Sequence, residues 1–367
     1  MKKKYLMITD HLPNTGLGKY TFNIHESLKE NGLNVDMLVQ QHKRNGFNPD
    51  IIFQKPFLNL PYREYKGTFD FLGYYYFSKK IPKDYSLHHI TSQTMGKYCD
   101  KAVPSVVTCH DIIGIKFHEN NPFFIRYFRK KHLENISKAE RIIFVSEYSK
   151  KDFLEMYDYP EKKTNVIYNG VNKEIFKPRD KKYAREKLGL SLDRPIILSI
   201  GSEDPRKNLD TIFKSIKNLK KNIPDILLVR VGRKGKESLI DKLDLEENVK
   251  YFKNNIPEQD LSLYYNAADL FVFPSYYEGF GMPIVEAFSS GLPLVASNAS
   301  CIPEVTNNSA LLSDPSDING FTNNIEKILT DDKIRQEYIS KGLKRAEDFS
   351  WKKTAKKTYD VYKEVLS

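Results

Sequence analysis

Residues 270–297 read LFVFPSYYEGFGMPIVEAFSSGLPLVAS and contain a complete strand–loop–helix–strand unit. The apolar run Leu270–Pro274 predicts one buried strand, and Pro293–Ser297 predicts the next. Between them, Pro283 is typical of a first helical turn and Gly291 of the residue that follows a helix. Because strands joined by a crossover helix lie parallel, this stretch predicts an α/β fold with a parallel sheet.

Short runs rich in Val, Ile and Leu alternate with helical stretches along the whole chain, as in doubly wound sheets. The alternation restarts after the polar segment 173–194, which indicates two Rossmann-like domains with a ligand cleft between them. We expect an N-terminal domain at 1–172, a linker at 173–194, a C-terminal domain at 195–349 and an amphipathic helix at 350–367. The predicted strands are Lys4–Thr9, Val35–Val39, Leu87–Ile90, Ser105–Cys109, Arg141–Ser146, Asn165–Tyr168, Pro195–Ile200, Ile226–Val231, Asn248–Phe252, Leu270–Pro274 and Pro293–Ser297.

The composition is that of a folded globular protein. Of the 367 residues, 40% are hydrophobic and 29% charged, which excludes disordered, collagen-like and low-complexity classes. Three widely spaced cysteines favour a reducing compartment. The sequence shows neither a signal peptide nor an apolar run of membrane-spanning length. We therefore expect a cytoplasmic protein.

The formal charge of +11 lies mostly in residues 1–178, which hold 28 basic and 19 acidic side chains. Such a basic half is typical of proteins that bind nucleic acid, an anionic membrane or an acidic substrate, and equally of a generally lysine-rich chain. Segments 55–85 and 122–132 combine aromatic and basic residues, so peripheral contact with an anionic membrane stays open beside ordinary helix packing. We expect no nucleic-acid partner, because the sequence does not establish a continuous basic stripe with aromatic platforms.

The loop after Leu270–Pro274 carries glycines that let a ligand approach the backbone, and two carboxylates, Glu278 and Glu286. The start of the following helix offers free amides and a positive dipole end, which favour a phosphate. Carboxylates repel such an anion, so we explain them as acceptors of hydrogen bonds from the hydroxyls of a sugar and a ribose. The alternative is that they are solvated acids stabilised by the helix dipole.

Cationic side chains follow another predicted strand. Arg206 and Lys207 come after Pro195–Ile200 and before a helix, where they can neutralise a diphosphate leaving group. That group gains charge in the transition state, so the two cations would contribute to catalysis. An exposed basic turn is the alternative.

His110 and Asp111 directly follow a buried strand in the first half of the chain. His110 can donate a hydrogen bond to a sugar hydroxyl or to charge near the anomeric carbon, although a lone histidine is more often structural.

Near the N-terminus, Gly16 and Gly18 form a turn that opens a helix. This turn matches neither a dinucleotide fingerprint, since Thr21 replaces the third glycine, nor a Walker motif.

The ordered segments EGFGMPIVEA, GLPLVAS, SCIPEV and ALLSDP resemble the signature of the retaining glycosyltransferases of family four, which have the GT-B fold and a Glu-x7-Glu motif. Residues 201–208 are similar to that family's G-x-x-x-x-R-K-N element. His110-Asp111 is similar to the HD pair of a branch that includes mannosyltransferases. Many members place Arg directly after the glycine, where this chain has Ser202. The resemblance is most specific from 195 to 315 and weakest from 41 to 85.

The resemblance implies a retaining hexosyltransferase that moves a mannose- or glucose-type sugar from a GDP- or UDP-sugar to a glycan or lipid-linked acceptor in polysaccharide biosynthesis. It implies a front-side displacement in which the leaving phosphate helps deprotonate the acceptor, and a terminal helix that returns to the first domain. Without a DxD triplet, we expect no metal and no other cofactor. The alternatives are a GT-B epimerase or phosphorylase and a two-lobed sugar-binding protein. The implied catalytic residues are His110, Arg206, Lys207 and Glu278, and the implied donor-binding residues are Gly16, Gly18, Asp111, Phe280, Gly281, Met282, Pro283 and Glu286.

Overall fold

The computed structural model describes residues 3–13, 15–39, 51–53, 81–117, 123–232, 237–252 and 256–367. Contacts divide the chain into two compact units, Met1–Gly170 with Trp351–Ser367 and Val171–Ser350. The segment 173–194, expected as a linker, therefore lies within the second unit. Its helix Lys181–Leu188 buries Arg185, whose Nε donates to the Ala267 carbonyl at 2.9 Å, so the segment is packed into that unit.

The strands of the described residues are short and mostly buried. In the first unit they are β1 (Lys4–Thr9), β2 (Asn34–Val39), β3 (Ile51–Phe53), β4 (Leu87–Ile90), β5 (Ser105–Cys109), β6 (Arg141–Phe144) and β7 (Thr164–Val166). In the second unit they are β8 (Ile196–Ile200), β9 (Leu227–Val231), β10 (Val249–Phe252), β11 (Leu270–Phe273), β12 (Leu294–Ser297) and β13 (Leu311–Ser313).

Helices connect these strands. The α-helices of the described residues are α1 (Gly16–Glu30), α2 (Ile113–Lys116), α3 (Phe123–Ile136), α4 (Glu147–Leu154), α5 (Lys181–Leu188), α6 (Leu209–Leu219), α7 (Glu237–Leu243), α8 (Glu258–Ala267), α9 (Met282–Ser289), α10 (Ile302–Thr306), α11 (Ile318–Thr330), α12 (Asp332–Ala346) and α13 (Trp351–Val365). Short 3-10 helices are Gln93–Tyr98, Glu161–Lys163, Pro205–Lys207 and Glu246–Asn248.

Each unit contains one parallel sheet among its described strands. The strand order is β3-β2-β1-β4-β5-β6-β7 in the first unit and β10-β9-β8-β11-β12-β13 in the second. Strand order reverses between β1 and β4 and between β8 and β11. In open α/β sheets, ligands bind beyond the carboxyl ends of the strands at such a reversal. The two Rossmann-like sheets confirm the predicted fold class.

Every strand predicted from the sequence is present, with bounds within two residues. The sequence analysis missed β3 and β13, which have three residues each and lie at the outer edges of their sheets. An edge strand this short presents no long apolar run. Buried clusters of aliphatic and aromatic side chains form a core in each unit, around Phe144 and Phe153 in the first and Phe213 and Phe321 in the second.

Candidate active site

The sheet of the second unit brings two predicted site loops together at its strand-order reversal. Strands β8 and β11 are neighbours, with Leu270 paired to Ile197. Residues 201–208 follow β8, and residues 274–281 follow β11. Because both strands end at the same edge of the sheet, the cations of the first loop meet the carboxylate of the second.

Hydrogen bonds fix the loop that carries Arg206 and Lys207. Both residues end a 3-10 helix that Asp204 caps, since its side chain accepts from the Arg206 amide at 3.0 Å. Asn208 then adopts a left-handed φ of 54° and donates through Nδ2 to the Pro274 carbonyl at 3.1 Å. The Tyr276 amide donates to the Arg206 carbonyl at 2.8 Å. The two loops are therefore tied together through their backbones.

Arg206, Lys207 and Glu278 form one ion cluster. Lys207 Nζ lies 2.6 Å from Glu278 Oε1, and Arg206 Nη1 lies 3.1 Å from Glu278 Oε2. Arg206 Nη1 also donates to the Tyr277 carbonyl at 3.0 Å. Lys207 Nζ stands 5.0 Å from the centre of the Phe273 ring, within range of a cation–π interaction.

Burial and charge oppose each other in this cluster. Burial by itself would raise the pKa of the Glu278 carboxyl, but the charges of Lys207 and Arg206 outweigh it, so that pKa lies below its ordinary value. Burial lowers the pKa of Lys207, and Arg206 and Arg230 lower it further, while Glu278 acts in the opposite direction. Asp204 Oδ1 also lies 3.7 Å from Arg206 Nε, so two carboxylates offset the two cations at the sheet edge where open α/β sheets bind ligands.

Helix α9 begins at the same edge of the sheet. Gly281 has a φ of 86°, and a Cβ there would lie 2.9 Å from Ile284 Cδ1, so only glycine fits. Met282 and Pro283 form the first turn, where Pro283 needs no hydrogen-bond acceptor. The Phe280 side chain is buried edge-on against Phe349, 5.6 Å between ring centres, so its part at this helix start is limited to its backbone.

Glu286 stands apart from the ion cluster. Its carboxylate is buried within α9 and accepts a hydrogen bond from the Tyr265 hydroxyl of α8 at 2.6 Å. Burial, with Glu286 as a further cause, raises the pKa of Tyr265 well above its usual value, so the phenol keeps its proton. Among the described contacts, neither Arg206 nor Lys207 pairs with Glu286.

In the first unit, His110 follows β5 and is buried. Its Nε2 lies 2.9 Å from the Thr91 carbonyl, its backbone amide donates to Gln93 Oε1 at 3.1 Å, and its ring meets Tyr20 edge-on. Burial lowers the pKa of His110 to about 4. A carbonyl can only accept, so Nε2 holds the proton and the neutral ring offers Nδ1 as an acceptor. The sequence analysis expected His110 to donate, and the structure gives its donor to Thr91.

Asp111 organises the backbone beside His110. Its Oδ1 accepts from the Ile113 amide at 3.0 Å and from Gln93 Nε2 at 3.4 Å. Gln93 therefore bridges the His110 backbone and the Asp111 carboxylate. The sequence analysis missed Thr91 and Gln93, because neither belongs to a motif and only the pairing of β4 with β5 brings them beside His110.

The two glycines of the first loop have different surroundings. A Cβ at Gly18 would overlap the Leu12 carbonyl, whereas a Cβ at Gly16 would meet nothing within 4 Å. The Gly18 amide donates to the Thr15 hydroxyl at 3.0 Å, which caps α1. Gly18 thus lets the start of α1 pack against the Leu12 carbonyl, and its amide already donates a hydrogen bond within the protein.

A buried hydrogen-bonded chain that the sequence analysis missed lies beside His110. His89 Nδ1 is 2.7 Å from the Tyr362 hydroxyl, and His89 Nε2 is 2.8 Å from Thr108 Oγ1, which in turn lies 2.9 Å from the Tyr20 hydroxyl. Burial lowers the pKa of His89 to about 3, with His110 as a smaller cause. The one available signal was the LHHI sequence of β4, where polar residues occupy a buried strand.

The described residues contain neither a metal-binding cluster nor a membrane-spanning helix. No cluster of three or more His, Cys, Asp or Glu side chains there could hold a metal ion. In the same residues, no helix combines the length and apolar character that crossing a bilayer requires.

Comparison with known families and proteins defines the class. A family model for group 1 glycosyl transferases matches residues 180–345, and one described as Glycosyltransferase Family 4 matches residues 14–175. O-antigen chain mannosyltransferase B of Escherichia coli is 31% identical over 271 residues, which cover 71% of this chain and 70% of that protein. The serotype-specific mannosyltransferase WbdA of Escherichia coli is 27% identical, with 71% of this chain matching 34% of that longer protein.

Solved structures show the same architecture. Sucrose-phosphate synthase from Thermosynechococcus elongatus superposes with a TM-score of 0.81 at 23% identity, over 99% of each chain. HepE from Anabaena, solved with UDP and glucose, gives a TM-score of 0.79 at 19% identity, over 98% of this chain and 99% of that one. The chain belongs to the GT-B glycosyltransferase family, and it is a glycosyltransferase.

Proposed function

We propose that this glycosyltransferase moves a hexose from a nucleoside-diphosphate sugar to a hydroxyl acceptor, with retention of configuration at the anomeric carbon. One observation carries the proposal: Arg206, Lys207 and Glu278 converge at the strand-order reversal of the second unit. Two cations beside the carboxylates of Glu278 and Asp204 suit a ligand that combines a diphosphate with hydroxyl groups.

In the proposed reaction, Arg206 and Lys207 bind the donor's diphosphate. The bond between the anomeric carbon and the phosphate oxygen breaks, and negative charge grows on the leaving nucleoside diphosphate. Fixed cations at a buried site stabilise that charge without having to reorganise. The backbone at Phe280, Gly281 and Met282 adds the positive end of the α9 dipole, while Pro283 contributes no amide.

Glu278 is proposed to accept hydrogen bonds from hydroxyls of the transferred sugar. Its carboxylate keeps its charge, because the pKa lies below the ordinary value. The acceptor oxygen bonds to the anomeric carbon on the face from which the diphosphate leaves, and the acceptor proton passes to a leaving phosphate oxygen. This route needs no protein nucleophile and no metal or other cofactor.

In the first unit, His110 is proposed to contact a substrate hydroxyl. Its neutral ring with a proton on Nε2 leaves Nδ1 to accept a hydrogen bond, so the residue positions a hydroxyl and does not act as an acid at neutral pH. Asp111 supports it through Gln93.

Gly16 and Gly18 shape the start of α1. Glu286 is proposed to reach the donor's ribose, while its hydrogen bond to Tyr265 fixes its rotamer.

Mannose is the first sugar to test, since relatives of this chain are O-antigen mannosyltransferases. We propose GDP-mannose as the first donor, UDP-hexoses as the second, and a glycan or lipid-linked glycan as the acceptor.

The experiment incubates the protein with each donor and an oligosaccharide or lipid-linked acceptor. NMR of the product then reads the anomeric configuration. An α-linked product from an α-linked donor supports the proposal, and a β-linked product or free epimerised donor refutes it.

We further propose that α3 contacts an anionic membrane from the cytoplasmic side. Phe123 and Tyr127 are 82% and 49% exposed, beside the exposed cations Arg126 and Lys130. Aromatic and basic side chains on one exposed helix suit an anionic interface. The other candidate segment, 55–85, lies mostly outside the described residues. Flotation with phosphatidylglycerol vesicles should recover the wild type, and Phe123→Ser should reduce that recovery. Absence of wild-type binding at low salt refutes this contact.

A further inference from the structure

Arg230 is a fully buried arginine that no motif explains. It lies on β9, where its backbone pairs with Ser199 of β8. Its Nη1 donates to the carbonyls of Ser199 and Val231 at 3.2 and 3.0 Å. Its Nη2 donates to the carbonyls of Gly201 and Ser202 at 2.6 and 3.1 Å. One guanidinium therefore binds four carbonyl oxygens around the end of β8.

These contacts differ from an ordinary buried ion pair. The carboxylate oxygen nearest to Arg230, Glu203 Oε1, lies 3.9 Å from Nη2, beyond a normal hydrogen bond. Burying a charge is costly unless it is paired and hydrogen-bonded. Here the hydrogen bonds come from backbone carbonyls, while Glu203 supplies the opposite charge at 3.9 Å.

Two of the carbonyls that Arg230 binds, those of Gly201 and Ser202, belong to the loop that leads to the cation pair. Carbonyl oxygens at the carboxyl end of a strand are partially negative and would repel a diphosphate placed there. Arg230 occupies them and holds Gly201 at a φ of 143°. The stem of Lys207 passes over Gly201, with Cε 3.5 Å from the position of a Cβ. The backbone that Arg230 fixes is thus the surface on which Lys207 lies.

We propose that Arg230 is a positioning residue for donor binding: it fixes the backbone at Gly201 and Ser202, so that Arg206 and Lys207 meet the diphosphate. This inference rests on the proposed nucleotide-sugar donor. A buried guanidinium from the neighbouring strand binds the Ser202 carbonyl and supplies positive charge there.

The chain offers a matched control in Arg185. This arginine is also buried in the second unit, and its Nη1 donates to the carbonyls of Leu192 and Arg194 at 2.5 and 3.2 Å. It pairs with Asp269, which also accepts from the Ile196 amide at the start of β8 and from Lys181 Nζ. The two arginines therefore serve opposite ends of the same strand. A purely structural role predicts similar behaviour when either is replaced.

The experiment measures binding of GDP, UDP, GMP and UMP by isothermal titration calorimetry to wild type, Arg230→Gln, Arg230→Lys and Arg185→Gln. We expect Arg230→Gln to lower the ratio of diphosphate to monophosphate affinity by about tenfold or more. Arg230→Lys should restore part of that ratio, since it keeps the charge but cannot bind four carbonyls. Arg185→Gln should lower the melting temperature and leave the ratio unchanged.

The outcomes separate this inference from the proposed function. Absence of diphosphate binding to the wild type refutes the nucleotide-sugar donor. Wild-type binding with an unchanged ratio in Arg230→Gln overturns the positioning role, as does an equal loss in Arg185→Gln. If Arg230→Gln does not fold, Arg230→Lys decides, and a ratio within twofold of wild type overturns the role.

Discussion

The carboxyl edges of the two sheets share the same kind of strand-order reversal, but they differ in the charge of the side chains placed there. In the second unit, the loops after β8 and β11 hold Arg206, Lys207 and Glu278 as an ion cluster. In the first unit, burial keeps His110 neutral, with a pKa of about 4. The second unit therefore presents paired cations and carboxylates at its edge, whereas the first presents a neutral histidine beside the Asp111 carboxylate.

The ligands proposed for the two edges would account for this difference. A leaving diphosphate needs cations, and buried cations need a carboxylate to offset the cost of desolvation. A hydroxyl needs only a well-placed donor or acceptor, which a neutral imidazole supplies at lower cost. The comparison indicates that the fold provides the location, while ionisable side chains near the strand ends decide the ligand class.

The largest effect is expected from removing a cation of the charged edge. Lys207→Met should lower kcat/KM about 100- to 1,000-fold, because one group that stabilises the leaving diphosphate is lost. Initial rates of nucleoside diphosphate release measure this effect. Lys214→Met, on the exposed side of α6, is the control and should keep its activity within twofold. A Lys207→Met enzyme within threefold of wild type would contradict the role of that edge.

The buried, neutral histidines of the first unit should lower its free energy of unfolding at acid pH. Unfolded histidine takes up a proton below about pH 6.5, whereas His89 and His110 stay neutral in the fold down to pKa values of about 3 and 4. The unfolded state then binds more protons, so stability should fall as the pH drops from 6.5 towards 4. At pH 5 the loss is about 2 kcal/mol for each histidine.

Trp351 makes this loss measurable, since it is the one tryptophan in the sequence and lies in the first unit. Urea unfolding followed by its fluorescence should show a lower midpoint at pH 5 than at pH 7. In the second unit, the pKa of Glu278 lies below its ordinary value of 4.5. The stability that its ionised carboxylate contributes is therefore fully present above about pH 4.5 and is lost only at lower pH. Equal unfolding midpoints at the two pH values would contradict the neutral state of His89 and His110 in the folded protein.

A smaller effect is expected from changing the acceptor atom of His110. His110→Gln can still donate to the Thr91 carbonyl but loses the acceptor at Nδ1, so kcat/KM should fall about 3- to 10-fold. His110→Asn keeps an acceptor near the Nδ1 position and should lose less. Between pH 6 and 8 the wild-type rate should show no pH dependence from titration of His110, because the pKa of His110 is about 4. A greater loss in Asn than in Gln would assign the catalytic contact to Nε2.

The sequence predicted the sheets well because buried parallel strands are continuous apolar runs bounded by turns. It also placed Arg206, Lys207 and Glu278 in one site, since all three follow strands of one parallel sheet. Their mutual pairing could not be predicted, because it depends on β8 and β11 being neighbours. Gly18 was predicted as a ligand contact, and its amide turned out to bind Thr15.

Residues that act through long-range pairing were beyond the sequence analysis. Thr91, Gln93 and His89 belong to no motif, and only the adjacency of β4 and β5 brings them to His110. Arg230 lies in the predicted buried strand Ile226–Val231, but its contacts with the Gly201 and Ser202 carbonyls are visible only once β9 pairs with β8. Short edge strands such as β3 lack the apolar run that identifies a strand.

The most direct test of the charged edge is calorimetric titration of GDP and UDP into wild type, Lys207→Met and Glu278→Gln. Lys207→Met removes a cation that would bind the diphosphate, so affinity should fall about tenfold. Glu278→Gln removes the anion that holds Lys207 at 2.6 Å and Arg206 at 3.1 Å, so affinity should rise several-fold even though sugar transfer is lost. Opposite shifts in the two variants support a diphosphate site built on this cluster, and unchanged affinity in both would contradict it.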